Sequence, residues 1–375
     1  MPEFLYSSIF GELTKNVQIR FDAASELNKQ LFDNIIFERF LDWDVPTVGL
    51  DFEELIGQYN ITVAAPTIGT DAKEAILGTE GLETLKETIL NHAITLPMTV
   101  KDYRKVLQIL DSKSLPDKVK TQQLIKLMWG DVETVVKSVL GKLDLIFCGA
   151  LSNEGKFTLD ETTNPEGGAR GLINFNQPAD NIASSKTDWT DANIDTVDCF
   201  EDIQGIIDAA QDKVTFSKVL CAPALISYMC RSKKMHQMIH GTDKSSKIVQ
   251  LKDINAYMEE NSFPTFEPIR RQVRIQNGTQ RTPYNPWNQK NMVFIPEGKL
   301  GIVKNAWANN ELKPEAGVAY SNYGRIRVSQ WGVGETQGSN GVEFTKAQIG
   351  HFVGGQITKV RFAEMNGIYP LKTQA

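Results

Sequence analysis

The sequence predicts an α+β fold laid out as an extended building block, and three observations predict it. One long amphipathic helix runs from Pro116 to Gly149. About a hundred residues before it read as arms and a long hairpin rather than as a core. After it, a run of short helices and strands from Asp195 onward gives way to strands joined by glycine turns. At 1.5 Å per residue the helix is about 50 Å long, which suits a beam across a flat molecule better than an element of a compact enzyme.

Polar and aromatic residues open the chain, and a helix is expected over Ala23–Phe40. Trp43-Asp44-Val45-Pro46 ends it, because the residue before a proline is pushed out of helical geometry. The modest apolar content of residues 1–58 suits a segment stretched across a neighbour as well as one packed on its own domain. Residues 61–100 read as a long hairpin. Ile61-Thr62-Val63-Ala64-Ala65 is its outgoing strand, Gly69, Gly78 and Gly81 punctuate a polar, acidic middle, and Thr88 to Met98 returns. Connections beyond about 12–15 residues without a core of their own are uncommon unless they have a role, so this one is expected to lie on a partner.

In the long helix, apolar residues fall at Val119, Leu124, Ile125, Met128, Val132, Val135, Val136, Val139, Leu143 and Ile146, close to the helical period. Ser114 is the expected N-cap, Pro116 suits the first turn, and Gly149 with Ala150 offers a stop. Gly130 and Gly141 interrupt the helix at about 1 kcal/mol each relative to alanine, which implies either bending or close packing there.

A second hairpin follows, Lys156–Leu159 through Gly171–Phe175, with the polar turn Thr162–Gly168 between its strands. A helix around Asp198–Gln211 buries Phe200, Ile203, Ile206 and Ile207. Val214–Cys221 reads as a strand, Pro223–Ile239 as a helix opened by proline, and Leu251–Glu260 as a short helix. Strands are expected at Gln272–Gln276, Met292–Ile295 and Leu300–Lys304, the last two joined by the turn Pro296–Lys299. The tail adds strands at Gly324–Trp331, Gln356–Phe362 and Gly367–Leu371. There is no internal repeat and no low-complexity tract.

Composition narrows the function. The 375 residues are 41% hydrophobic and 23% charged, with a net charge of −6, which argues against a bulk electrostatic nucleic-acid binder. Local basic clusters at Arg231, Lys233 and Lys234, at Arg270, Arg271 and Arg274, and at Arg325 and Arg327 read as solvated faces or subunit contacts, with non-specific contact to nucleic acid as the alternative. No apolar run reaches the roughly 18 residues that span a bilayer, so no membrane partner is expected. Met1-Pro2-Glu3-Phe4 lacks the basic region and cleavage site of a secretory signal, so synthesis in the cytoplasm is expected. Cys148, Cys199, Cys221 and Cys230 are spaced too unevenly for zinc knuckles and read as buried free thiols.

No catalytic constellation emerges. His236 and His240 stand i, i+4, but the glutamate of a His-Glu-x-x-His motif is missing, and His92 and His351 are far away in sequence. Gly332-Val333-Gly334-Glu335-Thr336-Gln337-Gly338 has its third glycine misplaced for a dinucleotide loop and reads as a turn. Glu53-Glu54 and Glu259-Glu260 read as solvated pairs. No catalytic residue, cofactor-binding residue or metal ligand is therefore expected.

The order of parts resembles the major capsid protein of tailed bacteriophages, in the lambda-like branch of the Hong Kong-phage-type capsid fold. Val63–Thr67 through Ile94–Tyr103 is similar to that family's extended loop and its return. Pro116–Leu151 is similar to its spine helix. Gly171–Phe175, Trp189 and the Cys199–Ala210 helix resemble the crossing into its axial domain, Val293–Gly298 an axial-domain hairpin, and Gly367–Leu371 the final strand returning to the peripheral domain.

The resemblance implies an N-terminal arm over 1–58, an extended loop over 59–103, and a peripheral domain over 104–194 with its spine helix at 116–149. An axial domain would follow over 195–320, with a return to the peripheral domain over 321–375. It implies a structural protein, not an enzyme, self-assembling as hexamers and pentamers into the icosahedral head of a virion around packaged double-stranded DNA, with assembly in the host bacterial cytoplasm. Implied partners are a scaffolding protein, a portal and an optional decoration protein, with non-specific contact to DNA.

Only about 58 residues precede the extended loop, fewer than the scaffolding extension of some relatives, so the scaffold is expected as a separate protein or the chain as already processed; Met1 favours the first. An encapsulin-type compartment shell shares the fold and is the alternative within it. An enzyme built on residues 195–310 is the alternative outside it.

Overall fold

The computed structural model describes residues 35–49, 51–56, 83–88, 92–97, 100–167, 170–175, 177–211, 213–241, 248–316, 318–332, 343–349, 361–362 and 368–374. Helices and strands are mixed throughout, as an α+β fold requires.

The chain enters as a short helix, α1 (Phe37–Phe40), and strand β1 (Leu41–Trp43). Residues 23–34 of the expected first helix lie outside the described residues. β2 (Asp51–Ile56) and β3 (Glu83–Thr88) pair as an antiparallel ribbon. The long hairpin therefore exists, but its described outgoing strand begins at 51; the expected strand over 61–65 lies outside the described residues. β4 (Ala93–Pro97) returns, and α2 (Val100–Asp111) leads to the spine helix α3 (Asp117–Ser152).

At 36 residues α3 differs from the expected helix at both ends, starting one residue later and running three residues further. Ser114 does not cap it; its hydroxyl meets that of Ser112, and Pro116 stands at the cap position with its carbonyl taken by the N–H groups of Val119 and Lys120. Gly149 does not stop it. The stop is the left-handed pair Glu154 (φ +57) and Gly155 (φ +71), where the Gly155 N–H returns to the carbonyl of Ala150. Gly149 sits inside the helix because a Cβ there would lie 2.5 Å from a ring carbon of Phe157. The last turn is closed from outside as well: Ser152 Oγ accepts the Asn288 N–H, and Asn291 Nδ2 donates to the Ser152 carbonyl.

The burial of α3 changes along its length. Val132, Val135, Val136, Val139 and Leu143 form a buried stripe, and from Leu143 to Leu151 nearly every side chain is enclosed, Leu145, Phe147 and Cys148 included. The first part is a surface beam and the second a core helix.

β5 (Lys156–Leu159) and β6 (Gly171–Asn174) form the second hairpin as expected. β7 (Ala183–Ser184) precedes α4 (Cys199–Ala210), whose N-cap Asp198 accepts the Glu201 N–H. β8 (Phe216–Cys221) follows. The helix expected over 223–239 is two helices, α5 (Pro223–Arg231) and α6 (Lys233–His240), broken at Ser232 (ψ 128). Met229 and Met235 are both buried; on one straight helix they would stand about 120° apart, and the break lets both reach the core.

α7 (Leu251–Glu260) and β9 (Thr265–Pro268) lead to a ribbon of β10 (Val273–Asn277) and β11 (Gln280–Tyr284), the second strand of which the sequence reading lacks. β12 (Asn291–Pro296) and β13 (Gly301–Val303) are not a hairpin. The turn containing Gly298 (φ +96) passes the chain from one sheet to another, and the hairpin expected over 293–298 is overturned with it. α8 (Asn309–Leu312), β14 (Ala319–Tyr323), β15 (Ile326–Gly332), β16 (Glu343–Ile349), β17 (Arg361–Phe362) and β18 (Tyr369–Lys372) complete the described chain.

Two sheets organise these elements. A five-stranded mixed sheet runs β7-β18-β12-β8-β9, so the C-terminal strand lies inside it, between β7 and β12. An antiparallel sheet runs β14-β15-β16-β4, and α3 packs against β16 and β4. A smaller sheet, β1-β13-β17, pairs the entering segment in parallel with residues 301–303.

Candidate functional site

Among the described residues, three buried or half-buried side chains tie distant segments of the chain together. The first joint is Asp144, on the enclosed face of α3. It has no exposed surface, and its Oδ1 accepts the N–H groups of Ile36 and Phe37, each at 2.9 Å. These are the free donors at the start of α1, which has no side-chain cap of its own. A carboxylate more than a hundred residues away thus serves as the N-cap, and its charge suits the positive end of a helix.

Arg271 Nε lies 2.7 Å from Asp144 Oδ2, although its N–H is not aligned on that oxygen, so the contact is one of charges. Burial pushes the Asp144 carboxyl up to about 6, with Arg271 and the two backbone N–H groups opposing the rise. One side chain therefore ties the entering segment, the spine and the stretch before β10 together. Phe40 stacks on Phe147 of α3 with ring centroids 5.9 Å apart, Phe37 meets Trp43 edge-on, and Arg39 pairs with Glu267 of β9.

The second joint is Lys142, two residues before Asp144 and so on the other side of the helix. Its Nζ donates to the Thr163 carbonyl at 2.9 Å and to Asn164 Oδ1 at 3.3 Å, holding the polar turn of the second hairpin. Burial pulls this amine down to about 8. His92, at the root of β4, is pulled down to about 3 by burial and by the Lys142 charge, and its Nε2 has no hydrogen-bond partner. The imidazole before β4 is thus held neutral within reach of the Lys142 charge.

The third joint is Trp189, whose ring is buried, stacks on Tyr228 and donates from Nε1 to Asp202 Oδ2 at 2.8 Å. Its backbone N–H donates to the Thr373 carbonyl, which fixes the C-terminal segment at the same place.

The side chains singled out in the sequence are dispersed. His236 Nε2 sits 2.8 Å from the Cys230 carbonyl, which turns one imidazole to a structural use. Cys148, Cys199 and Cys221 are buried and Cys230 is half-buried; burial pushes the Cys199 and Cys221 thiols up to about 12. Among the described residues no group of His, Cys, Asp and Glu stands close enough to hold a metal ion, and no helix is long and apolar enough to cross a membrane. Residues 333–340 and His351 lie outside the described residues.

The basic clusters separate into engaged and exposed members. Arg231 pairs with Asp191, Arg271 with Asp144, and Arg327 lies over the Tyr320 ring and donates to Asn322. Lys233, Lys234, Arg270 and Arg274 are exposed. The sequence reading missed Asp144 as a functional residue. Its signal was present: one carboxylate inside Leu143-Asp144-Leu145-Ile146, where burial demands a partner.

A family model described as phage major capsid protein E matches residues 99–331, from the start of α2 to the end of β15. No curated protein matches the sequence. Among solved structures, a prophage protein of Escherichia coli CFT073 assigned as its capsid protein is 11% identical, with 94% of this chain and 99% of that one covered and a TM-score of 0.53. A phage-related protein of Bordetella bronchiseptica RB50 is 11% identical, covers 91% and 92%, and scores 0.45. The capsid of the myovirus XM1 is 10% identical, covers 90% and 91%, and scores 0.44. At such identity the likeness is one of fold, the Hong Kong-phage-type capsid fold.

Proposed function

Because the chain belongs to the phage major capsid protein E family, we propose that it assembles as hexamers and pentamers into an icosahedral head around packaged double-stranded DNA. Membership makes it a structural subunit of the virion shell. The finer reading takes the lambda-like branch of the fold. Its arm is 1–58, its extended loop 59–103, its peripheral domain 104–194 with the return at 321–375, and its axial domain 195–320. Assembly takes place in the host cytoplasm on a separate scaffolding protein, with a portal at one vertex and non-specific contact to DNA inside.

The observation that carries this reading is the family match over 99–331, which takes in the whole spine helix and four of the five strands of the mixed sheet. The β2–β3 ribbon supports it. A two-stranded ribbon is marginal on its own in water, so this one needs a neighbour to cover it.

The test replaces residues 57–82 with a two-residue Asn-Gly turn between β2 and β3. The expected result is a subunit with native circular dichroism that no longer closes shells. A variant that unfolds would make the loop part of the core, and one that assembles normally would remove it from the contacts between copies.

A further inference from the structure

Among the described residues the five-stranded mixed sheet ends at β7 on one side and at β9 on the other. β7 is two residues long and offers little for another strand to pair with. β9 (Thr265–Pro268) offers more. It pairs in parallel with β8, with Phe266 beside Val219 and Pro268 beside Cys221, and the Ile269 N–H donates to the Cys221 carbonyl at 2.9 Å. The N–H and C=O of one residue point to the same side of a strand, and successive residues alternate. Residues 265, 267 and 269 therefore turn to β8, and residues 264, 266 and 268 turn to the outer edge.

Each of those three outward positions is closed. Pro264 and Pro268 have no N–H to donate. Phe266 has both of its groups taken by one side chain. Its N–H donates to Asn255 Oδ1 at 2.8 Å, and its carbonyl accepts from Asn255 Nδ2 at 3.0 Å. A side-chain amide carries the same donor and acceptor as a peptide group, so Asn255 stands where the peptide of a further strand would stand.

The fold holds Asn255 to that position from both ends of α7. At its start the Gln250 N–H donates to Asp253 Oδ2 at 3.0 Å, and Ile254 and Met258 anchor the helix in the core. At its end Ser262 (φ +59) reverses the chain, and the Phe263 N–H returns to the Met258 carbonyl at 2.8 Å. The short link to β9 is thus fixed, and the amide meets Phe266 without any other element intervening.

We propose that Asn255, Pro264 and Pro268 form an edge lock, which keeps a second copy of this chain from pairing β9 with β9 across a two-fold axis. In such an antiparallel pair, centred on Phe266, the two Phe266 residues would exchange both of their backbone hydrogen bonds, and each Pro264 would face a Pro268. Asn255 removes the first exchange, and the prolines remove the second. In a subunit whose neighbours are copies of itself, an open edge would compete with the proper contacts. The lock lies within one subunit, so it stands whether or not the copies close into shells.

The test compares the full chain with its variants at equal concentration, by sedimentation velocity and electron microscopy, with circular dichroism to check folding. Asn255→Ala with Pro264→Val and Pro268→Thr opens all three positions. It is expected to strengthen association through this edge at least about a hundredfold, giving dimers or linked particles absent from the wild type. Pro264→Val with Pro268→Thr, which keeps Asn255, is expected to gain less than about tenfold. Asn255→Ala alone is expected to speed amide exchange over residues 265–267 at least about tenfold, with residues 219–221 unchanged.

An opened variant that associates no more than the wild type overturns the lock. Equal association with and without Asn255 overturns it as well, because the amide then closes nothing. If the triple variant misfolds, Asn255→Ala with Pro268→Thr takes its place. Unchanged exchange over 265–267 in Asn255→Ala overturns the proposal without any measurement of association.

Discussion

Replacing Asp144 by alanine tests the joint on which the entering segment depends. The substitution removes an acceptor held by two N–H groups at 2.9 Å and a charge 2.7 Å from the Arg271 guanidinium, in a place without exposed surface. Breaking a buried ion pair costs about 3–5 kcal/mol, because the surviving charge is left without compensation. Each backbone donor left unpaired adds about 1–3 kcal/mol, and these terms overlap rather than add. A loss near 5 kcal/mol is therefore expected, comparable to much of the stability of an ordinary domain.

Asp144→Asn keeps an oxygen for the two donors and loses only the charge, so about 2–3 kcal/mol is expected. Arg271→Met leaves the carboxylate buried with its two donors and costs about 3 kcal/mol. Asp144→Ala combined with Arg271→Met is expected to cost about 2 kcal/mol less than the sum of the single changes, since the two groups are in contact. The assay is urea unfolding followed by circular dichroism, with limited proteolysis reporting release of residues 35–44. A cost below about 1 kcal/mol for Asp144→Ala, or strict additivity with Arg271→Met, would falsify the joint.

Three further predictions follow from particular distances and charges. Gly149→Ala places a Cβ at 2.5 Å from the Phe157 ring and is expected to destabilise by about 1–3 kcal/mol, with partial recovery on adding Phe157→Leu; a neutral melting temperature would contradict the close packing. Gly141→Ala meets only the far end of Arg271, at 3.7 Å, and is expected to raise stability by up to about 1 kcal/mol, whereas a loss would mean that the spine needs to bend there. His92 is neutral in the fold, with a folded value near 3 against an unfolded value near 6.5, so its contribution is fully present above about pH 6.5 and is lost as pH falls toward 3. The melting-temperature gap between wild type and His92→Gln should be flat above pH 7 and shift by the equivalent of about 1–2 kcal/mol by pH 5; a gap independent of pH removes His92 from the loop root.

What the sequence made legible was local. The spine helix, the second hairpin, α4 and α7 follow from apolar periodicity and caps, signals contained within the elements themselves. What it hid was pairing across distance. Nothing near residue 41 announces a parallel partner at 301, and nothing near 369 announces a strand between β7 and β12.

The turn at 296–299 has ordinary hairpin chemistry, yet the strands it joins find better partners in different sheets. Ser232 looks like any helix residue; only the need to bury both Met229 and Met235 breaks the helix there. Arg270, Arg271 and Arg274 form a cluster in sequence, but Arg271, just before β10, turns to Asp144 while Arg274 is exposed, and the ribbon register brings Arg281 of the missed strand β11 beside it.

Electron microscopy of the purified chain bears most directly on its role as a shell subunit. Closed icosahedral particles of uniform diameter, built from rings of six and five copies, are the predicted result. A chain that stays a monomer at high concentration, with native circular dichroism, would contradict it.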